Sequence, residues 1–265
     1  MGWNYLLILL IVSLVLSAVG FKKYVYFMSL GYGFSVAGIG IALIVFSLTG
    51  FLKADITLFV YYILFIIYGF RLSGFLAIRE LKNLAYRKTL AEAAGDSSKM
   101  PFFVKAVMWI ACAALYVMQT SPVFFRALNG KAATLCFLIG AGISVCGIVL
   151  ESVADRQKSI QKKARPDMVA MKGLYRFVRC PNYFGEILFW TGVFVSGFDI
   201  YAGAGQWIMA VIAYICIIIV MFNGAQRLEK RQVKRYGSNR EYTEYTDHTP
   251  IIIPLLPLYH LYKEK

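Results

Sequence analysis

Long apolar runs separated by short basic connections constrain this chain more than any other feature of its sequence. A helical crossing of a bilayer needs roughly 20 apolar residues, and seven runs approach that length. They cover Trp3–Gly20, Tyr24–Leu48, Ile56–Leu76, Phe103–Phe125, Ala132–Ser152, Gly185–Tyr201 and Gly205–Asn223. Charged residues make up 16% of the chain, against about a quarter in soluble domains. The sequence predicts an all-α polytopic membrane protein with seven transmembrane helices in one integral membrane domain, 1–265.

The distribution of Lys and Arg predicts the orientation of these spans, because cytoplasmic loops are enriched in basic residues. Arg71 and Lys105 lie in or at the edge of spans and are left out of the comparison. With the N-terminus outside, 23 basic residues fall in cytoplasmic segments, which are Phe21–Lys23, Arg79–Met100, Val153–Phe184 and the residues after Gly224. The three that fall outside are Lys53, Arg126 and Lys131. We therefore expect the N-terminus outside and the C-terminus in the cytoplasm.

The composition narrows the possible partners. A net charge of +14 would suggest nucleic-acid binding in a soluble protein, but here the basic residues are explained by an anionic membrane surface. The five cysteines have no CxxC spacing, and His248 and His260 are the only histidines. We expect no nucleic-acid partner, no metal site and no disulfide framework.

Tyr68 and Arg71 are the first polar residues at membrane depth that require an explanation. They stand three residues apart and so share a helix face. A phenol beside a buried guanidinium could serve as a proton donor. Alternatively, Arg71 snorkels to the interface and Tyr68 belongs to an aromatic belt.

Glu151, Asp155 and Lys162 form a second group at the end of the fifth span. Spacings of four and seven residues place all three on one face of a continued helix. Such a group could hold the ribose hydroxyls and phosphates of a nucleotide. A solvated helix end with weak ion pairs is the alternative.

The densest group of polar residues is Gly173–Glu186, which leads directly into the sixth span. A helix start offers free N–H groups to an anion, and Arg176 and Arg179 add positive charge. Asn182 and Glu186 stand four residues apart, and a carboxylate at membrane depth indicates a functional site. We favour a functional interpretation of this segment.

The C-terminal segment alternates cations with aromatic residues. Its candidate residues are Glu229, Tyr236, Tyr245 and His248. They could clasp a nucleotide, or the tail could rest on anionic lipid. The chain contains no strand-associated GxGxxG motif and no Walker loop, so a nucleotide site must be built from helix ends and loops. We expect the glycines of the second span, Gly31, Gly33, Gly38 and Gly40, to allow close helix packing.

The run GLYRFVRCPNYFGE, with ExxxD before it and RLEKRxxxxYGxxxxYxxYxxxTPxxIP after it, resembles the membrane steroid 5α-reductase-like family. The similarity is closest to the bacterial DUF1295 branch. It covers about Gly147–Pro254, and in the N-terminal half it rests on hydropathy and on the spacing of Tyr68, Arg71 and Arg79. The resemblance implies a seven-span, NADPH-dependent oxidoreductase of the bacterial inner membrane. It would transfer hydride to the C=C bond of a conjugated enone in a lipid or steroid that enters from the bilayer.

The resemblance also implies roles for individual residues. Tyr68 would face the substrate carbonyl, and Arg71 would correspond to a nearby arginine that contacts the cofactor, so both are candidate catalytic residues. Residues 1–130 would line the lipid cavity, and residues 131–265 would form a cytoplasmic cofactor pocket in a monomer. Together with the groups above, it implies NADPH contacts at Glu151, Asp155, Lys162, Lys163, Tyr175, Arg176, Arg179, Asn182, Tyr183, Glu186, Glu229, Tyr236, Tyr245 and His248. Glu151 stands where the family has Asn, and Lys162 where it has Arg.

Two other functions remain open at this stage. Steroid reductases pair their tyrosine with a second-span glutamate, whereas Tyr24–Leu48 has no carboxylate and offers Ser29, Tyr32 and Ser35. Isoprenylcysteine and phospholipid methyltransferases that use S-adenosylmethionine carry a similar motif. They have His at the position of Cys180 and lack the upstream acidic residue Asp155. A lipid-binding or structural membrane protein is the third possibility.

Overall fold

The computed structural model describes residues 3–52, 55–82, 87 and 100–262. Its helices are α1 (Trp3–Ser17), α2 (Leu30–Leu48), α3 (Phe59–Lys82), α4 (Phe102–Leu128), α5 (Leu135–Ala164), α6 (Pro181–Val195), α7 (Ala204–Tyr236) and α8 (Arg240–His248). Throughout these described ranges there is no strand, so the all-α prediction is confirmed. Lys53 and most of the predicted Arg79–Met100 segment lie outside the described residues.

Six helical segments are long and apolar enough to cross a membrane within the described part of the chain. They are Asn4–Phe21, Tyr24–Leu48, Ile56–Lys82, Phe102–Leu128, Leu135–Ala164 and Ala204–Tyr236. Each coincides with a predicted span, and together they identify an integral, multi-pass membrane protein. Helices α5 and α7 continue well beyond their apolar runs into polar sequence.

The predicted sixth span, Gly185–Tyr201, differs from the helix at this position. Helix α6 has 15 residues, about 22 Å at 1.5 Å per residue, which is shorter than the roughly 30 Å of a bilayer core. It begins at Pro181, which suits a first helical position because proline lacks an N–H. Beyond Val195 the backbone turns, with the amide of Phe198 donating to the Val195 carbonyl at 3.2 Å.

The predicted fourth span ends at Phe125, whereas α4 continues to Leu128 and includes Arg126. Arg126 belongs to α4 and is fully buried. Its guanidinium donates to the carboxylate of Asp199 at 2.5 Å and to the carbonyl of Ser196 at 2.8 Å. The helix continues past the apolar run because this side chain finds an anion and backbone acceptors in the turn after α6.

The chain divides into two compact units. The first, here the N-terminal unit, contains Met1–Ala141 and Val193–Ala213. The second, the C-terminal unit, contains Gly142–Gly192 and Tyr214–Lys265.

Helices α2 and α3 of the N-terminal unit pack backbone against backbone. A Cβ added to Gly33 would lie 2.6 Å from the carbonyl oxygen of Gly69, and one on Gly40 would lie 2.7 Å from that of Tyr62. No side chain fits at such distances, so the prediction that these glycines allow close packing is confirmed. The close approach aligns the polar side chains of α2 with those of α3.

Helix α4 accommodates Pro122 in its interior. Proline provides no N–H for the carbonyl four residues earlier, which belongs to Met118. The hydroxyl of Ser121 donates to that carbonyl at 2.7 Å instead. Helix α4 therefore stays continuous from Phe102 to Leu128.

Candidate functional site

In the C-terminal unit, glycines bring α5 and α6 into contact at a buried carboxylate. A Cβ on Gly147 would lie 2.6 Å from the Gly185 carbonyl oxygen, and one on Gly185 would lie 2.6 Å from Cγ of Glu151. Glu151 is only 3% exposed. Gly185 of the sequence motif therefore creates the space that the Glu151 side chain occupies.

Glu186 supplies a second buried carboxylate on α6. It is 5% exposed and accepts a hydrogen bond from the indole of Trp190 at 3.2 Å. Asn182, one turn earlier, and Asp155, one turn after Glu151 on α5, are both half-buried. The candidate residues Glu151, Asp155, Asn182 and Glu186 therefore lie on α5 and α6, which contact each other at Gly147 and Gly185.

The segment between α5 and α6 is held by two glutamines that the sequence analysis missed. The side-chain oxygen of Gln161 accepts from the backbone amides of Met171 and Lys172 at 2.9 and 2.8 Å. The side-chain oxygen of Gln157 accepts from the Leu174 amide at 2.8 Å. Their spacing of four residues on the helical continuation of α5 is the signal that could have identified them.

Two tyrosines, the buried Tyr175 and the half-buried Tyr245, connect the motif to the helices on either side of it. The hydroxyl of Tyr175 donates to the Ala154 carbonyl at 3.3 Å, and that of Tyr245 donates to the Tyr175 carbonyl at 2.6 Å. Burial raises the pKa of both phenols above the ordinary value. Both therefore stay neutral donors at physiological pH.

Arg179 and Glu229, both predicted cofactor contacts, form a buried ion pair at 2.8 Å. The second carboxylate oxygen of Glu229 accepts from the backbone amides of Leu261 and Tyr262, each at 2.8 Å. Arg179 also donates to the carbonyl of Tyr259. These contacts anchor the C-terminal tail on α7, and the cofactor role of the pair stays a prediction.

Lys162 and Tyr236, both predicted cofactor contacts, are brought together. The Lys162 ammonium donates to the Tyr236 hydroxyl at 3.0 Å and to the Met168 carbonyl at 2.6 Å. The other predicted residues of this region, Lys163, Arg176 and His248, are exposed on the surface. His248 contacts the Glu244 carbonyl through Nδ1 at 2.8 Å.

A cluster of mixed charge surrounds Cys180 and Tyr183. The charges of Asp155, Arg227 and Arg231 act on the Tyr183 phenol. Burial raises the pKa of the Cys180 thiol to about 11, although the positive charges of Lys158 and Arg179 oppose that shift. Lys158, Arg227 and Arg231 belong to the basic runs that the sequence indicated as possible nucleotide contacts, although none of the three was among the individual candidate residues. No group of three metal-ligating side chains occurs in the part of the chain that the structure describes.

In the N-terminal unit, Tyr68 and Arg71 lie together, as their spacing predicted. Tyr68 is fully buried and its hydroxyl donates to the Tyr32 hydroxyl at 3.0 Å. The Arg71 guanidinium lies 5.9 Å from the centre of the Tyr68 ring. The Tyr32 ring in turn lies 4.8 Å from that of Tyr116. Tyr32 is thus a second-span partner of Tyr68.

Comparison with known proteins identifies one family. The model of the family described as "Protein of unknown function (DUF1295)" matches residues 32–249. The match includes every candidate residue discussed above from Tyr32 to His248. No curated protein and no solved structure matches the chain.

Proposed function

The chain belongs to the DUF1295 family, and on that premise we propose that it is a membrane-embedded, NADPH-dependent reductase. It would transfer hydride to the C=C bond of a conjugated enone in a lipid or steroid. The observation that carries this proposal is the buried phenol pair of Tyr68 and Tyr32, with Arg71 beside it. Packing of apolar helices does not require a buried pair of hydroxyls, whereas binding of a substrate carbonyl requires a hydrogen-bond donor.

The proposed chemistry requires a hydrogen-bond donor at one oxygen atom. Bound NADPH would supply the hydride to the β-carbon, and negative charge would then develop on the carbonyl oxygen. A fixed donor aimed at that oxygen lowers the barrier, typically by about 3–4 kcal/mol for a single donor. Tyr68 would turn its single O–H from Tyr32 to that oxygen, Tyr32 would then donate its own O–H to the Tyr68 oxygen, and Arg71 would stabilise the charge. A proton from solvent or a side chain, delivered to the α-carbon, would complete the reduction.

Burial of Tyr68 supports this role for a second reason. The side chain is 0% exposed, and a hydrogen bond in a water-excluded site is electrostatically stronger than one in water. Exclusion of water also protects the hydride from competing proton transfer.

The donor set of the C-terminal unit fits a dinucleotide. Glu151, Asp155 and Glu186 could accept hydrogen bonds from ribose hydroxyls and from a carboxamide. Lys158, Arg227 and Arg231 could neutralise phosphates. Nε of Arg179 is buried without a hydrogen-bond partner among the described residues, so it offers one further donor to an anion.

We extend the proposal to topology and location. Helix α6, with the turn that follows it, would be the seventh span, giving a protein with the N-terminus outside and the C-terminus in the cytoplasm. The eight basic residues of Val153–Phe184 support this orientation. The protein would lie in the inner membrane of a bacterium as a monomer and take its substrate from the bilayer.

An S-adenosylmethionine-dependent isoprenylcysteine or phospholipid methyltransferase is the alternative. Methyl transfer to a thiolate or an amine develops no charge on a carbonyl oxygen, so it would leave the Tyr68–Tyr32 pair without a role. Methyltransferases of this kind also have His at the position of Cys180, which is a buried thiol here.

Thermal unfolding of the detergent-purified protein with NADPH, NADH and S-adenosylmethionine tests the proposal. A ligand at a hundred times its Kd stabilises the folded state by about 2.7 kcal/mol. We expect a shift with NADPH that is reduced in the Asp155→Ala variant, with Asp167→Ala as the matched control on the exposed loop. A shift with S-adenosylmethionine alone would support the methyltransferase instead.

A further inference from the structure

Gln119 of α4 is a buried amide whose polar atoms are unused. Its side chain is 4% exposed. Neither its amide oxygen nor its amide nitrogen has a hydrogen-bond partner among the described residues. The next two residues show the usual alternative: the Thr120 hydroxyl donates to the Tyr116 carbonyl at 3.1 Å, and the Ser121 hydroxyl donates to the Met118 carbonyl at 2.7 Å. Gln119 therefore differs from its neighbours in being buried and unsatisfied, which is rare in folded proteins.

The position of Gln119 connects it to the phenol pair. It lies three residues after Tyr116, so the two side chains share a face of α4 about 4.5 Å apart along the helix axis. The Tyr116 ring lies 4.8 Å from that of Tyr32, and the Tyr32 hydroxyl accepts from Tyr68. The unused amide thus lies one helical turn from Tyr116, whose ring lies next to that of Tyr32, within the same unit.

The chemistry of the amide defines the group that complements it. A primary amide offers an acceptor oxygen and a donor NH2 side by side. A hydrocarbon would satisfy neither, and a ketone would satisfy only the donor. A hydroxyl both donates and accepts, so a single hydroxyl can pair with both atoms.

We propose that Gln119 recognises a hydroxyl group of the lipid substrate, at a second polar position away from the reacting enone. The inference rests on the proposed reductase function and narrows its substrate class to hydroxylated enone lipids. Gln119 determines specificity and takes no part in the chemical step. A site built to hydrogen-bond a substrate hydroxyl discriminates strongly against the analogue that lacks it, because the buried amide is then left unpaired.

The same geometry predicts an unusual stability effect. In the ligand-free protein the buried amide is unfavourable, because it has exchanged water for no partner. Replacing it by an apolar side chain of similar size removes that penalty. The Gln119→Leu variant should therefore unfold at a higher temperature than the ligand-free wild type and bind the hydroxylated ligand less well.

The experiment uses two probes that differ in one hydroxyl, testosterone and androst-4-en-3-one, with delipidated protein in detergent. In the wild type we expect testosterone to raise the Tm more than androst-4-en-3-one does and to bind with an affinity about tenfold higher. Gln119→Leu should bind both probes equally and unfold at a higher temperature without ligand. The control is Thr120→Val, which removes a satisfied hydroxyl and should leave the discrimination intact.

Three outcomes would overturn the inference. They are equal binding of the two probes by the wild type, retained discrimination in Gln119→Leu, and a lower Tm of ligand-free Gln119→Leu. The NADPH-induced shift, measured on the same samples, separates the two proposals. A protein that responds to NADPH without hydroxyl discrimination loses only this inference, whereas discrimination without an NADPH response contradicts only the reductase.

Discussion

Glu229 shows how a single side chain anchors the C-terminal tail within its unit. It is 1% exposed and receives Arg179 together with two backbone amides of the tail. Each oxygen of its carboxylate is thereby used. Both oxygens of Glu241 also accept hydrogen bonds, each from Arg165 at 2.8 Å, but this ion pair lies on the surface.

Replacing Glu229 with Gln should destabilise the protein strongly, because it leaves the Arg179 charge buried without an anion. Breaking a buried pair in this way costs about 3–5 kcal/mol, which we expect to see as a large drop in the Tm. The matched control is Glu241→Gln, which breaks an exposed pair of little value. Equal Tm values for the two variants would contradict the anchoring role of Glu229.

Cys180 gives a prediction about pH. Because burial raises its pKa to about 11, the thiolate is scarce near neutrality and increases only as the pH rises towards that value. Alkylation of Cys180 in the folded protein should therefore keep accelerating above pH 9. In the unfolded protein it should level off near the ordinary thiol pKa of about 8.5. Mass spectrometry of the Cys180 peptide after timed exposure to N-ethylmaleimide measures both profiles, and identical profiles would show that the thiol is not buried.

At the scale of helices, Gly147 and Gly142 of α5 lie in very different surroundings. A Cβ on Gly147 would lie 2.5 Å from the backbone nitrogen of Phe189 on α6, whereas one on Gly142 would meet nothing within 4 Å. The first glycine is needed for the contact that positions Glu151, and the second is not.

Gly147→Ala should therefore separate α5 from α6, reduce stability by about 1–3 kcal/mol through overpacking and weaken NADPH binding. Gly142→Ala on the same helix is the control and should be neutral or slightly stabilising, since alanine favours helix by up to about 1 kcal/mol. Thermal unfolding with and without NADPH measures both effects. Equal behaviour of the two variants would argue against the glycine contact.

Helices show how far the sequence could predict this fold. Six apolar runs predicted six helices because a bilayer requires length and hydrophobicity, which a sequence displays directly. Helix α6 is shorter than its run because the turn after it is fixed by Arg126, which contacts Asp199 and the Ser196 carbonyl. Such contacts join residues about 70 positions apart, and no local pattern encodes them.

The candidate site was predictable to a similar degree. The three-residue spacing of Tyr68 and Arg71 predicted that they share one face of a helix. Glu151 and Glu186 were identified because a carboxylate in or at the end of an apolar run is unusual. The partner of Tyr68 could not be identified, because several polar residues of the second span were equivalent until packing selected Tyr32. The sequence likewise could not show that the Gln119 amide has no hydrogen-bond partner among the described residues, because this depends on which side chains pack around it in the folded chain.

At the scale of the whole molecule, the asymmetric distribution of 28 basic residues predicts the topology. Green fluorescent protein fused after Lys265 should be fluorescent in bacterial cells, and alkaline phosphatase fused at the same position should be inactive. An active phosphatase fusion together with a non-fluorescent green fluorescent protein fusion would place the C-terminus outside and contradict the proposed orientation.

The most direct test of the reductase proposal is turnover by the Tyr68→Phe variant. The substitution removes one hydroxyl from a fully buried ring and leaves the C-terminal unit unchanged. With a conjugated enone lipid, NADPH oxidation and saturated product should appear in equal amounts for the wild type. The variant should lose about 10²–10³-fold in kcat while keeping its NADPH-induced thermal shift. Full turnover by Tyr68→Phe with NADPH still bound would contradict the assignment of Tyr68 as the group that activates the carbonyl.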